Sequence, residues 1–144
     1  MRFLVVAHQT ADSRELIETV ERLARDNAGS TFTLLVPAAQ VPRRFTWSEE
    51  ESVERAREQA QAATDGFRRA GIEVEHATVG SPSPLLAIED ELRTDGSYDA
   101  IVISTLPRGR SLWLRDDIVR RAEKEFGLPV IHSVAHSLKV AAAS

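Results

Sequence analysis

Two short stretches of the chain hold the residue types that could do chemistry. One is Ser104-Thr105-Leu106-Pro107-Arg108-Gly109-Arg110-Ser111, the other His8-Gln9-Thr10, and each follows an apolar run. Arg108, Gly109, Arg110 and Ser111 have the make-up of an anion site: two guanidinium forks, a hydroxyl and backbone amides leading into a helix. Arg115 stands one turn further on. The same arginines also read as solvated surface charges, or as partners of Asp116 and Asp117, and the abundance of arginine in this chain favours that reading. His8 has the chemistry of a ligand contact or a general base. It reads equally as a polar strand-end residue bonded to backbone. No Ser or Cys nucleophile with a matched base stands beside it, so no catalysis is expected.

Metal chemistry is not expected either. His132 and His136 are four apart, but on a predicted strand and its exit that spacing separates them by about 13 Å, too far to share one ion. His76 shows no partner in the sequence. Trp113 opens the last predicted helix beside the arginine loop, where it walls the crevice or simply packs. Phe45 and Trp47 flank Arg43-Arg44 in a long loop, which is either a lid or a connection pinned by aromatic anchors.

The chain that must position these residues has 144 of them, the length of one domain able to bury a single core. Apolar residues make up 42% and charged residues 28%, and there is no cysteine, which excludes disulfides and thiolate chemistry. A net charge of −4 argues against nucleic acid as a partner. The longest apolar run, residues 3–7, is too short for a membrane span or a signal-peptide core, so a cytoplasmic protein with no membrane partner is expected.

Apolar runs of strand length alternate with helical periodicity. Strands are predicted at 2–7, 31–36, 72–79 and 98–104, and a fifth from Leu128. Helices are predicted at about 13–27, from Ser48 to about Ala70, from the Gly80-Ser81-Pro82 start to about Thr94, and at about 112–126. Asp12 and Ser48 are the expected caps of the first two, each with a Glu three residues on, Glu15 and Glu51. Gly29, Gly71, Gly96 and Gly127 each follow a predicted helix, where a left-handed residue is favoured. This β-α-β-α-β-α-β-α-β order implies one open, five-stranded parallel sheet with helices on both faces, an α/β Rossmann-like fold. With strand order 3-2-1-4-5, ligands bind at the switch point between the first and fourth strands. The candidate crevice is then His8, Gln9, Thr10, Ser104, Thr105, Arg108, Gly109, Arg110 and Ser111.

Val79-Gly80-Ser81-Pro82, Ala87-Ile88, Tyr98-Asp99-Ala100-Ile101-Val102-Ile103-Ser104 and Gly127-Leu128-Pro129-Val130-Ile131 resemble the second half of a universal stress protein, and the element order matches over nearly the whole chain. The resemblance implies an adenine nucleotide α-hydrolase-like fold and a single stress-response domain. It also implies a homodimer through the C-terminal edge strand. Nucleotide-binding members of that family carry a signature G-x2-G-x9-G-(S/T), whose glycines let backbone amides approach phosphates. Here Ser104 and Pro107 fall at the first two glycines and Asp117 at the third, with Asp116 just before it. Pro107 lacks an amide donor. Each carboxylate close to a triphosphate would repel it by about 1–4 kcal/mol. His8 stands where the family has an adenine-contacting Asp. ATP held in the usual family manner is therefore disfavoured. The alternative is another nucleotide or phosphorylated metabolite held by Arg108, Arg110 and Ser111. Nucleotidyl transferases and ATP pyrophosphatases need an H-x-G-H or S-G-G-x-D-S type motif that His8-Gln9-Thr10-Ala11-Asp12-Ser13 does not offer. A receiver domain needs an acidic pair after the first strand, and none follows.

Overall fold

A computed structural model describes residues 1–8, 10–38, 49–107 and 117–135. The elements in chain order are β1 (Arg2–Val6), α1 (Arg14–Asp26), β2 (Thr31–Pro37), α2 (Glu49–Arg69), β3 (Val74–Gly80), α3 (Pro84–Thr94), β4 (Ala100–Thr105), α4 (Ile118–Phe126) and β5 (Val130–Val134). The strands pair in parallel as one sheet in the expected order β3-β2-β1-β4-β5.

β1 lies at the centre, and its alternation divides the core. Phe3, Val5 and Ala7 face one side with Leu16 and Val20 of α1 and Ala56, Ala60, Ala63 and Phe67 of α2. Leu4 and Val6 face the other with Ala87 and Ile88 of α3 and Ile118 and Ala122 of α4. The small alanines of α2 let that helix lie close to the sheet. Phe3 stacks on Phe32 of β2 with ring centroids 5.1 Å apart. Residues 3–7 are all at most 1% exposed, as a strand covered on both faces requires.

The helix starts differ from expectation, each for a local reason. Ser13, not Asp12, caps α1, accepting the Leu16 amide on its hydroxyl at 3.2 Å. Ser83-Pro84, not Ser81-Pro82, opens α3, with the Ser83 hydroxyl accepting from Leu86 N–H. Two successive Ser-Pro pairs give equal local signals. Because β3 stays paired to Pro37 as far as Gly80, the first pair is left to make the turn. The last described helix begins at Ile118, and Asp117 just before it is left-handed, with φ 55°. Of the helix predicted at 112–126, the described part therefore starts at Ile118; residues 112–116 lie outside the described residues, as does the predicted cap Ser48. Gly29, Gly71 and Gly127 adopt positive φ after their helices, but Gly96 does not; Asp95, in extended conformation, ends α3 instead.

At the end of the sheet opposite the strand carboxyl ends, Arg2 draws several elements together. Its guanidinium pairs with Glu75 of β3 and with Asp95, each at 2.8 Å, and also bonds Ser97. The Arg2 amide donates to the Asp99 carboxylate at 2.8 Å, and its guanidinium sits 4.8 Å over the Tyr98 ring. The Arg2 guanidinium holds the Asp95 carboxyl well below the usual carboxylate range. Burial pushes the Tyr98 hydroxyl up to about 12, and that hydroxyl donates to Glu91 at 2.7 Å. Glu91 also lies 3.9 Å from His76, so His76 has a carboxylate neighbour that the sequence did not reveal.

Gly80 is required for space. A Cβ there would stand 2.8 Å from Ala87 Cβ and 3.0 Å from Leu35 Cδ1, in the seam where β3 hands over to α3. Gly80→Ala should lower stability by about 1–3 kcal/mol, the range of overpacked cores, as measured by denaturant melts. An unchanged midpoint would show that the seam is loose.

Candidate functional site

β1 is dry on both faces, so the first polar residue after it enters the rim of the sheet with little water. That residue is His8, only 8% exposed, and its Nε2 has no hydrogen-bond partner among the described residues. Burial lowers the His8 pKa, and the charge of Arg55 on α2 lowers it further, so the ring is held neutral. Ser52, one helical turn before Arg55, is 2% exposed, and its hydroxyl is also unpartnered. A third such atom is Oε1 of Glu15, the residue expected to reach back to Asp12. All three residues belong to the strand carboxyl end of the sheet: one after β1, two in the first turns of α1 and α2.

Thr10 and Ser104, read from sequence as opposite walls of a crevice, touch directly. Their hydroxyl oxygens are 2.6 Å apart and both residues are buried. This bond ties the β1–α1 connection to the end of β4. Thr105 points to the other face of the sheet, where its hydroxyl lies 2.7 Å from Nε2 of His132 on β5. Burial lowers the His132 pKa as well. Gln9, Arg108, Gly109, Arg110 and Ser111 lie outside the described residues, as do Arg43, Arg44, Phe45, Trp47, Trp113, Arg115, Asp116 and His136. Among the described residues no three His, Asp or Glu side chains cluster as metal ligands would.

Asp117 stands immediately before α4 and makes no capping bond with its side chain. Its carboxylate lies 3.5 Å from Arg120. A negative charge at a helix start is favoured by the peptide dipoles. It also takes up the field that a bound phosphate would otherwise use.

The described site thus brings together the Thr10–Ser104 hydroxyl pair, the His8 ring, the Ser52 hydroxyl and the Glu15 carboxylate. Ser104 is satisfied by Thr10, and His8 faces a cation rather than an orienting carboxylate. Ser52 and Arg55 escaped the sequence reading. A signal for Ser52 existed: it continues the stripe Ala56, Ala60, Ala63 and Phe67 by one turn, so a hydroxyl stands where the apolar spacing calls for a buried side chain.

The two lowered histidines fix the sign of a pH effect. Below about pH 6.5 the unfolded chain takes up protons that folded His8 and His132 resist. Stability is therefore fully present above that value and is lost as pH falls toward the lower folded pKa values. Thermal melts between pH 7.5 and 5.5 should show this loss, and His8→Gln with His132→Gln should flatten it. An unchanged slope in the double variant would contradict the neutral-ring assignment.

No protein-family model matches the chain, and no curated protein matches it either. Solved structures do. A universal stress protein from Archaeoglobus fulgidus superposes with a TM-score of 0.63 at 21% identity, over 92% of this chain and 93% of that one. A universal stress protein family protein from Arabidopsis thaliana, solved with AMP bound, gives 0.59 at 14% identity, over 95% and 93%. One from Burkholderia pseudomallei gives 0.56 at 16% identity, over 91% and 93%. The chain has the fold of the universal stress proteins.

Proposed function

We propose that this chain is a universal stress protein-like regulatory domain of the stress response, without catalysis of its own, whose crevice does not take ATP in the usual family manner. The observation that carries this reading is Asp117: a carboxylate at the start of α4, on a residue held left-handed. Glycine would adopt that conformation freely and leave the helix amides open to phosphate. Pro107 near the end of β4 and the neutral, buried His8 after β1 point the same way. The fold itself is compatible with adenine nucleotides, since the Arabidopsis neighbour was solved with AMP. The obstacle lies in this chain's own side chains. The domain acts as a cytoplasmic homodimer, with the edge strand β5 as the pairing element.

The unpartnered His8 Nε2 and Ser52 hydroxyl favour a second reading, in which a small anionic metabolite fills the crevice. Buried polar groups normally find partners, and a ligand is one source of them. Arg108, Arg110 and Ser111 would then bind its charge.

Equilibrium dialysis with labelled ATP and magnesium tests the first reading. No saturable binding is expected in the micromolar range, and saturable micromolar binding would contradict it. Asp117→Gly removes one repulsive charge and the left-handed side chain, and should gain at least about fivefold in affinity, roughly 1 kcal/mol. The second reading predicts a thermal shift from some member of a metabolite panel, lost on changing Arg108 and Arg110 to Ala. It fails if nothing on the panel moves the melt.

A further inference from the structure

Away from the crevice, the outer edge of β3 carries a second constellation. α2 lies over this strand, and the groove between them encloses about 500 Å³, lined by Arg57, Gln61, Thr64 and Arg68 of α2 and by Ala77 and Val79 of β3. We propose that this groove docks an extended acidic segment of a partner protein, which joins the sheet beside β3 as a sixth strand.

Three observations converge on that occupant. The first is backbone. β3 ends the sheet, so among the described residues one side of it has no strand neighbour. The Ala38 amide donates to the Gly80 carbonyl, and Val36 is in register with Val79. The alternation of a parallel ladder then turns the N–H and C=O groups of Ala77 and Val79 away from β2, toward the groove. These are the free groups that strand addition uses.

The second is charge. This is a chain of net charge −4, yet both ionic side chains lining the groove are cationic. Arg57 is held by Glu54 at 3.1 Å, an exposed pair worth little and easily exchanged for a ligand carboxylate. Arg68 makes no ion pair among the described residues. Gln61 donates to Asp65 at 3.1 Å, and Thr64 to the Ala60 carbonyl, so neither contributes charge.

The third is length. Arg57 and Arg68 are eleven residues apart on one helix, a rise of about 16 Å. An extended chain covers that distance in about five residues. Carboxylates four positions apart lie on the same face of the added strand about 13 Å from one another, and the long arginine side chains span the remaining few ångström, with small or β-branched residues between the carboxylates opposite Ala77 and Val79. A compact anion would engage one arginine and leave the strand edge unused.

Fluorescence anisotropy on the full chain tests this with a labelled peptide of about seven residues. The peptide carries glutamates at its second and sixth positions, with valine and threonine between them. Saturable binding is expected, at least tenfold weaker for the glutamine version and for the protein with Arg57→Glu and Arg68→Glu. Ala77→Pro removes one edge donor and should abolish it. Methylating alternate peptide amides should do the same without altering the protein, which covers the case of a misfolded variant. Absent binding overturns the proposal, as does equal binding of the glutamine peptide. Binding that resists amide methylation but not charge reversal also overturns it, because that pattern describes diffuse attraction without strand addition.

Discussion

The rest of the structure depends on the burial of β1 on both of its faces. Residues 3–7 give one apolar row to the α1–α2 layer and the other to the α3–α4 layer. A central strand of this kind fixes the order of its neighbours, because β2 and β4 are then the strands that share its two long edges. It also dictates what happens where the strand stops. The chain leaves β1 still inside the protein, and the first polar residue after it is desolvated before any function is asked of it. His8 is that residue. Its neutral ring follows from position first and from Arg55 second.

The two ends of the sheet resolve their polar groups in opposite ways. At the amino end Arg2 meets Glu75, Asp95 and Ser97, and its backbone meets Asp99, so charge is matched by charge close to solvent. At the carboxyl end Thr10 and Ser104 satisfy one another, while His8, Ser52 and Glu15 keep buried atoms with no partner among the described residues. Departures from full polar satisfaction gather where proteins work rather than where they are merely held together. The same contrast explains why Asp117 matters. It brings charge to the start of α4 at this end, in a backbone conformation an aspartate adopts at some cost.

The sheet and its strand order were legible because period-two apolar runs and helical stripes are local signals that the tertiary fold reinforces. Val102 and Ile103 read as a doubly covered strand and are one. Cap positions were less legible: Ser81 and Ser83 carry the same chemistry, and only the pairing of β3 with β2 as far as Gly80 chooses between them. The site was half legible. Thr10 and Ser104 could be named from the ends of β1 and β4, but their hydrogen bond joins residues 94 apart and needs the closed sheet. Ser52 showed only as a hydroxyl continuing the apolar stripe of α2 and Arg55 not at all, because nothing in α2 itself says which of its turns will lie near His8. Asp117 could be read as a missing glycine, but not as a left-handed residue, since aspartate carries no local demand for that conformation. The α2–β3 groove has no sequence motif at all. It exists only once α2 has packed across the sheet edge.

The account stands or falls on the imidazole of His8. Following its ring resonances by NMR from pH 8 to pH 5 measures the one quantity on which the dry, uncharged rim depends. The account predicts a midpoint clearly below the ordinary imidazole value of about 6.5. A midpoint at or above that value would mean a solvated or acid-paired ring, and would contradict it.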